Sequence, residues 1–238
     1  SNEVSVTADT TKVIEFGAIS GGATSATFAY PDVSFTDAAG TETITINTGD
    51  NVTYSLKDAS GSADVAKVNI TPYKDDTKLN QTIGDITIAN TETLQLGVTG
   101  LNDDFTYTLS NVSGDASLTT LNITGDSNFT LTDHASDNSK LATIDASTFT
   151  NDLTFSDSVA SLAQTLTTGT GNDTWNMSAG TLTEDDVIDL AGNTALADGT
   201  AGKDTLSHTG NLGSAVDAAA LQIKNVEAIN LTATGGVG

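Results

Sequence analysis

Leu118-Thr-Thr-Leu-Asn-Ile-Thr-Gly-Asp-Ser-Asn-Phe-Thr-Leu-Thr132 is answered further along the chain by Leu141-Ala-Thr-Ile-Asp-Ala-Ser-Thr-Phe-Thr-Asn-Asp-Leu-Thr-Phe155. A third version is Leu162-Ala-Gln-Thr-Leu-Thr-Thr-Gly-Thr-Gly-Asn-Asp-Thr-Trp175. The leading leucines, at 118, 141 and 162, step by 23 and then 21 residues. Each unit reads as a strand, a polar turn and a second strand. A period in the low twenties is that of one coil of a parallel β-helix, whose apolar face is buried by stacking on neighbouring coils. A meander of antiparallel hairpins also sets strands at short intervals, and the repeat alone leaves that alternative open.

The same pattern extends outward from the repeat. Thr43-Ile-Thr-Ile46, Val68-Asn-Ile70, Asp85-Ile-Thr-Ile88, Leu94-Gln-Leu96 and Leu121-Asn-Ile-Thr124 alternate apolar residues with Thr, Asn, Asp or Gln. That is the period of a half-buried strand. Thr, the commonest residue type, is β-branched and suits strands. Gly, Asp, Asn and Ser punctuate the runs as turns require. Helical periodicity is confined to Ser214–Ile223, where Val216, Ala219, Ala220 and Ile223 share a face; this stretch reads as a helix or a loop. The expected fold is all-β: a right-handed parallel β-helix, or β-solenoid, over 111–238. A less regular β-sheet portion is expected over 1–110, where the spacing is uneven and a small sheet or sandwich fits as well.

Composition narrows the function. Hydrophobic residues are 37% and aromatics 5% of the 238 residues, so the core must come from Val, Ile, Leu, Thr and Ala, which thin stacked coils allow. Thirty-one acidic residues face 8 basic ones, all Lys, for a net charge of −23. That balance argues against nucleic acid, whose phosphates need cationic side chains, and against docking on anionic lipid. Two readings of the acidity remain: a solvated surface, or carboxylates that are cation ligands. Without Cys there is no disulfide, zinc–thiolate site or thiol chemistry, which leaves a metal ion as the obvious staple. No apolar run approaches a membrane span. Ser1-Asn2 reads as a tag remnant and both ends as cut from a longer protein, so the missing signal peptide says nothing about export.

Two glycine-rich turns carry the candidate chemistry. They are Thr168-Gly-Thr-Gly-Asn-Asp-Thr-Trp-Asn176 and Gly199-Thr-Ala-Gly-Lys-Asp-Thr-Leu-Ser207. Ca²⁺ takes six to eight oxygen ligands from carboxylates and carbonyls. Glycines let the backbone curl so that its carbonyls face an ion, the aspartate supplies charge, and the apolar residue two positions later turns inward. The candidate metal-site residues are Gly169, Gly171, Asn172, Asp173, Gly199, Gly202 and Asp204. A tight turn in which Asp173 merely caps backbone amides is the plainer reading. The acidic run Glu184-Asp-Asp186 and the turn residues Asp126, Asp145 and Asp152 read as solvated, or as lending a ligand.

Both turns resemble the repeat-in-toxin nonapeptide G-G-x-G-x-D-x-U-x, where U is large and apolar. Gly169, Gly171, Asp173 and Trp175 match in the first, with Thr168 in place of a glycine. Gly199, Gly202, Asp204 and Leu206 match in the second, with Thr200 in place of a glycine. The aspartates, at 173 and 204, are 31 residues apart rather than in tandem, which predicts one or two separate sites. More widely, Gly202-Lys-Asp-Thr-Leu206 followed by Ile223-Lys-Asn-Val-Glu-Ala-Ile-Asn-Leu231 is similar to a segment recurring in calcium-dependent bacterial S-layer proteins and related type I secreted proteins. Asn90-Thr-Glu-Thr-Leu-Gln-Leu96 resembles its last part. The resemblance covers about half the chain and implies a β-helical fold, calcium-dependent folding and lattice assembly at the cell surface.

Together, the composition, the two turns and the resemblance predict a non-enzymatic, calcium-binding structural segment of a secreted surface-layer protein. Its partners would be other copies of itself and cell-surface polysaccharide, without nucleic acid or membrane insertion. The alternative is a type I secreted adhesin that recognises a glycan or host surface; a β-helical polysaccharide lyase or epimerase comes third. No phosphate loop, nucleophile elbow or metalloprotease helix is present, so no catalytic residue is assigned. His134 and His208 read as exposed turn residues.

Overall fold

The computed structural model describes residues 4–7, 14–16, 25–29, 33–38, 43–47, 51–56, 60–72, 77–114, 117–132, 139–157, 162–178, 181–192, 202–210 and 221–232. Among them are twenty strands, from β1 (Val4–Thr7) to β20 (Ala228–Thr232), and no helix. The odd-numbered strands form one ten-stranded sheet and the even-numbered strands another. Every neighbouring pair in both sheets is parallel. Each coil therefore lays one strand into each sheet and returns one layer further on, which is a β-solenoid. The antiparallel meander is excluded, because adjacent strands in a sheet are two apart in chain order and run the same way.

Register explains the composition. In the odd-strand sheet Leu94, Leu121, Ile144, Leu166, Ile188 and Ile223 stand opposite one another in successive coils. In the even-strand sheet Ile83, Leu109, Leu131, Phe155, Trp175, Leu206 and Ile229 do the same. All of these are buried except Ile223, which is partly buried against the core, and Ile229, which is exposed. Period-2 alternation sends one such column inward and its neighbours outward. Stacked aliphatic columns between two facing sheets fill the core with little need of rings, and the aromatic Phe155–Trp175 pair meets edge to face at 6.3 Å between centroids. On β20, which pairs with β18 (Thr205–Thr209), Ile229 and Leu231 continue the inward columns of Leu206 and His208 yet are 54% and 59% exposed.

The five alternating runs read from the sequence all lie in strands: β5 (Thr43–Ile46), β7 (Val65–Ile70), β8 (Gln81–Ala89), β9 (Thr93–Val98) and β11 (Thr120–Gly125). Strands before residue 110 join the same two sheets. Their unevenness shows in the coil lengths: Ser25 pairs with Thr43 and Val65 with Thr93, whereas Thr120 pairs with Thr143 and Thr143 with Thr165. It shows also in a shift of register between Phe35 and Ala38 of β4 (Val33–Ala38). The third repeat is offset by one residue from its leucine alignment. Thr143 faces Thr165, so Leu141 aligns with Ala163, and Leu162 is only half-buried. Residues 211–220, most of the helix-or-loop stretch, lie outside the described residues, while Ile223 belongs to β19 (Gln222–Lys224).

His208 departs from its expected place. It lies in β18, opposite Met177, and is 2% exposed. The alternation that turns Leu206 inward turns His208 inward as well, although polar neighbours on both sides make the stretch read as a turn. Among the described residues its Nδ1 has no hydrogen-bond partner. His134 lies outside the described residues.

Candidate functional site

The two glycine–aspartate turns, 31 residues apart in sequence, are stacked in the fold. β16 (Thr174–Met177) pairs with β18 so that Thr174 faces Thr205 and Trp175 faces Leu206. Continued into the turns, this offset sets Gly171 against Gly202, Asn172 against Lys203 and Asp173 against Asp204. The long insertion between the motifs is taken up within the coil and leaves their register intact. Gly199 lies outside the described residues.

Hydrogen bonds bear out the alignment. The Asp173 N–H donates to Asp204 Oδ1 at 2.7 Å, and the Leu153 N–H donates to Asp173 Oδ1 at 2.9 Å. The Asp204 N–H in turn donates to Glu227 Oε2 at 2.9 Å. One column of carboxylates, buried at Asp173 and Asp204 and exposed at Glu227, thus accepts, coil by coil, the amide protons that open each strand. One residue earlier, a second ladder runs the other way. Asn128 Oδ1 accepts from the Asp152 N–H at 3.2 Å, Asp152 Oδ1 from the Asn172 N–H at 2.8 Å, and Asn172 Oδ1 from the Lys203 N–H at 3.0 Å. Short polar side chains extend the sheet's hydrogen bonding into the turns, alongside backbone bonds such as that from the Thr205 N–H to the Asp173 carbonyl.

The carboxylates of Asp173 and Asp204 are 1% and 0% exposed. In each, Oδ1 is committed to a backbone amide. Among the described residues the buried Oδ2 of Asp204 has no hydrogen-bond partner, and that of Asp173 has only the Thr168 hydroxyl beside it. The Trp175 Nε1 is likewise unpartnered among the described residues. Burial pushes the Asp173 carboxyl up to about 6; the neighbouring Thr168 side chain and the Leu153 amide hold it down, and the charge of Asp152 raises it further. Burial also pushes Asp204 up to about 6, against the pull of the Asp173 amide and with the help of the charges on Asp173, Glu227 and Asp152. Two buried acids with open oxygens on adjacent coils repel one another when ionised, and an unsatisfied buried oxygen costs about 1–3 kcal/mol.

The glycines serve the stacking. A Cβ on Gly169 would collide with the carbonyl oxygen of Phe149, and one on Gly171 with that of Asn151. Only glycine lets these turns lie directly on the coil before. Among the other candidates, Asp186 is buried, with Oδ1 taking the Gln164 N–H at 2.8 Å and Oδ2 the Thr183 N–H at 2.6 Å, so both its oxygens are engaged. Burial raises its carboxyl above the usual range as well. Glu184, Asp185, Asp126, Asp145 and Asp152 are exposed. Among the described residues no three carboxylate, imidazole or thiol side chains converge to hold a metal ion. A cation between Asp173 and Asp204 would therefore complete its shell with carbonyls, hydroxyls and water, the oxygen donors that calcium accepts.

Glu227 is legible in the sequence only as part of a resemblance, and its role emerges from a second instance. Glu92 Oε2 accepts the Asp64 N–H at 2.9 Å, as Glu227 accepts that of Asp204. Two residues before each glutamate an asparagine adopts the left-handed conformation, Asn90 at φ 58° and Asn225 at φ 54°. The recurring Asn-x-Glu before a strand is thus one structural device used twice. Comparison of the chain with protein-family models, curated proteins and solved structures found no match.

Proposed function

We propose that this chain is a calcium-responsive structural segment of a secreted bacterial surface-layer protein, exported by a type I route, that assembles with further copies of itself on the cell surface. The observation that carries the reading is the in-register stack of Asp173 on Asp204, two buried carboxylates on adjacent coils whose second oxygens are not taken up by backbone amides of the described residues. Calcium between them would supply the missing partner, relieve the repulsion and tie two coils together. The net charge of −23 and the absence of Cys agree with an ion as the staple. The role is structural rather than catalytic: a catalytic ion needs an open position beside a base and a pocket, and here both aspartates hold backbone amides.

Extracellular calcium modules bind at about 10⁻⁴ to 10⁻³ M. Sites of that affinity stay empty in the cytosol and fill after export, so the ion would lock the coils only outside the cell. A calorimetric titration of the metal-free chain tests the site. Asp173→Asn and Asp204→Asn are expected to weaken binding by about tenfold or more, roughly 1.4 kcal/mol, and Asp126→Asn to leave it unchanged. Absence of binding by the parent, or equal affinities in all three variants, overturns the proposal. The second reading, a type I secreted adhesin, is favoured by a polar groove on the outer face of the odd-strand sheet.

A further inference from the structure

The groove lies away from the aspartate turns and has a volume of about 440 Å³, within the range of ligand sites. Its floor is built by register. Lys67, Gln95, Asn122 and Asp145 stand opposite one another in four successive coils. Beside them run Asn69 and Gly97, also paired. Period-2 alternation turns all six outward, away from the columns of Val68, Leu94, Leu96, Leu121 and Ile144 that fill the core. Gly97 makes the depression: a Cβ there would stand 2.5 Å from Asn69 Oδ1.

The lining has a definite chemistry. The side-chain amides of Asn69, Gln95 and Asn122 make no hydrogen bond with any described residue, and Lys67 makes no ion pair with one. Each amide offers two donors and an acceptor in a fixed plane. No aromatic ring lines the groove. One cation stands at one end and one carboxylate at the other, with Asp145 held ionised by the hydroxyl and backbone amide of Ser147. Gln95 and Asn122 thus stand on adjacent coils at the coil spacing of about 4.8 Å, with Asn69 on the coil before in the next column; that spacing is close to the advance of one pyranose unit in an extended β1,4-linked chain. Four coils span about 14 Å, or three such units. A polyanion is disfavoured by the charge of the whole chain, and an apolar ligand by the lining.

We infer that this face of the odd-strand sheet binds a neutral, extended polysaccharide, laid along the solenoid axis with its hydroxyls on Gln95, Asn122 and Asn69. The inference deepens the adhesin reading, which it rests on, and does not depend on the calcium site. The test titrates the full chain, in calcium, with cellotetraose, N,N′,N″,N‴-tetraacetylchitotetraose, maltotetraose and tetragalacturonate, read by calorimetry and by amide chemical shifts. At least one of the two β1,4-linked neutral probes is expected to bind with a Kd of about 1 mM or tighter, with shifts centred on Gln95 and Asn122. The Gln95→Ala/Asn122→Ala variant should lose this binding. Gly97→Thr should lose it while melting no lower than the parent, because Thr fills the groove and is the better strand residue. Failure of both neutral β1,4-linked probes, preference for tetragalacturonate, or binding that survives these substitutions overturns the inference. Calcium affinity measured on the same variants stays at the parental value in either case, so the two readings fail separately.

Discussion

At Asp173 and Asp204 the two oxygens of one carboxylate do different work, and this makes the residues sensitive to pH. An Asp with a folded value of about 6 against an unfolded value near 3.9 binds more protons folded than unfolded between those limits. Its contribution to stability is therefore fully present below about pH 4 and is lost as pH rises through about 6. For Asp173 the displacement corresponds to on the order of 2–3 kcal/mol. In chelator, the parent is expected to lose more melting temperature between pH 4 and 7 than the Asp173→Asn/Asp204→Asn variant; parallel curves for the two would refute the assignment. Calcium selects the ionised form, so its affinity should fall below pH 6 and its binding should release protons. The glycines beside these acids are constrained by sterics instead. Gly171→Ala drives a methyl into the Asn151 carbonyl and should cost about 1–3 kcal/mol. Gly192, where an added Cβ meets nothing within 4 Å, is the matched control, and Gly192→Ala should be close to neutral by denaturant melts.

At the level of the element, strands here begin where a side chain has taken over from the sheet. Asn90 and Asn225 turn the chain through the left-handed region, which short polar side chains tolerate better than others. Glu92 and Glu227 then cap the coil before. Glu92→Ala strands the Asp64 amide and should destabilise by about 1–3 kcal/mol. Glu92→Gln keeps an acceptor oxygen at the same reach and should recover most of that loss. Equal melting temperatures for the two variants would show that the contact contributes nothing beyond its geometry.

At the scale of the whole molecule, each coil touches only its neighbours, so stability is close to a sum of coils and interfaces. A ligand between two coils then acts locally first. Calcium at about 100 times its Kd would add roughly 2.7 kcal/mol. Hydrogen exchange should show the gain in β14 (Leu153–Asp157), β16 and β18 more than in β6 (Val52–Leu56), which lies several coils away. Uniform protection along the solenoid, or none, would place the ion elsewhere. In the surface-layer reading, full-length protein imaged with calcium forms ordered sheets and without it does not. Monomers at every calcium concentration, with tight binding to a defined glycan, would favour the adhesin.

The strands and most inward residues are determined by the sequence itself, because period-2 alternation is a local property that survives being read one residue at a time. That the coils run parallel, and that those before residue 110 join the same two sheets, is decided only by the pairing of the strands. Asp173 and Asp204, like the strands, are visible because the signal is local: a glycine, an aspartate and an apolar residue stand in fixed order within nine positions. Their partnership is not. It depends on coil lengths, and the insertion between the two turns hides a register that only the pairing of β16 with β18 discloses. His208 is misread because polar flanks look alike in a turn and in a strand whose outer face is wet. The groove is invisible in the sequence for a deeper reason. Lys67, Gln95, Asn122 and Asp145 come from four coils of unequal length, and nothing in the chain marks them as neighbours until the coils are stacked.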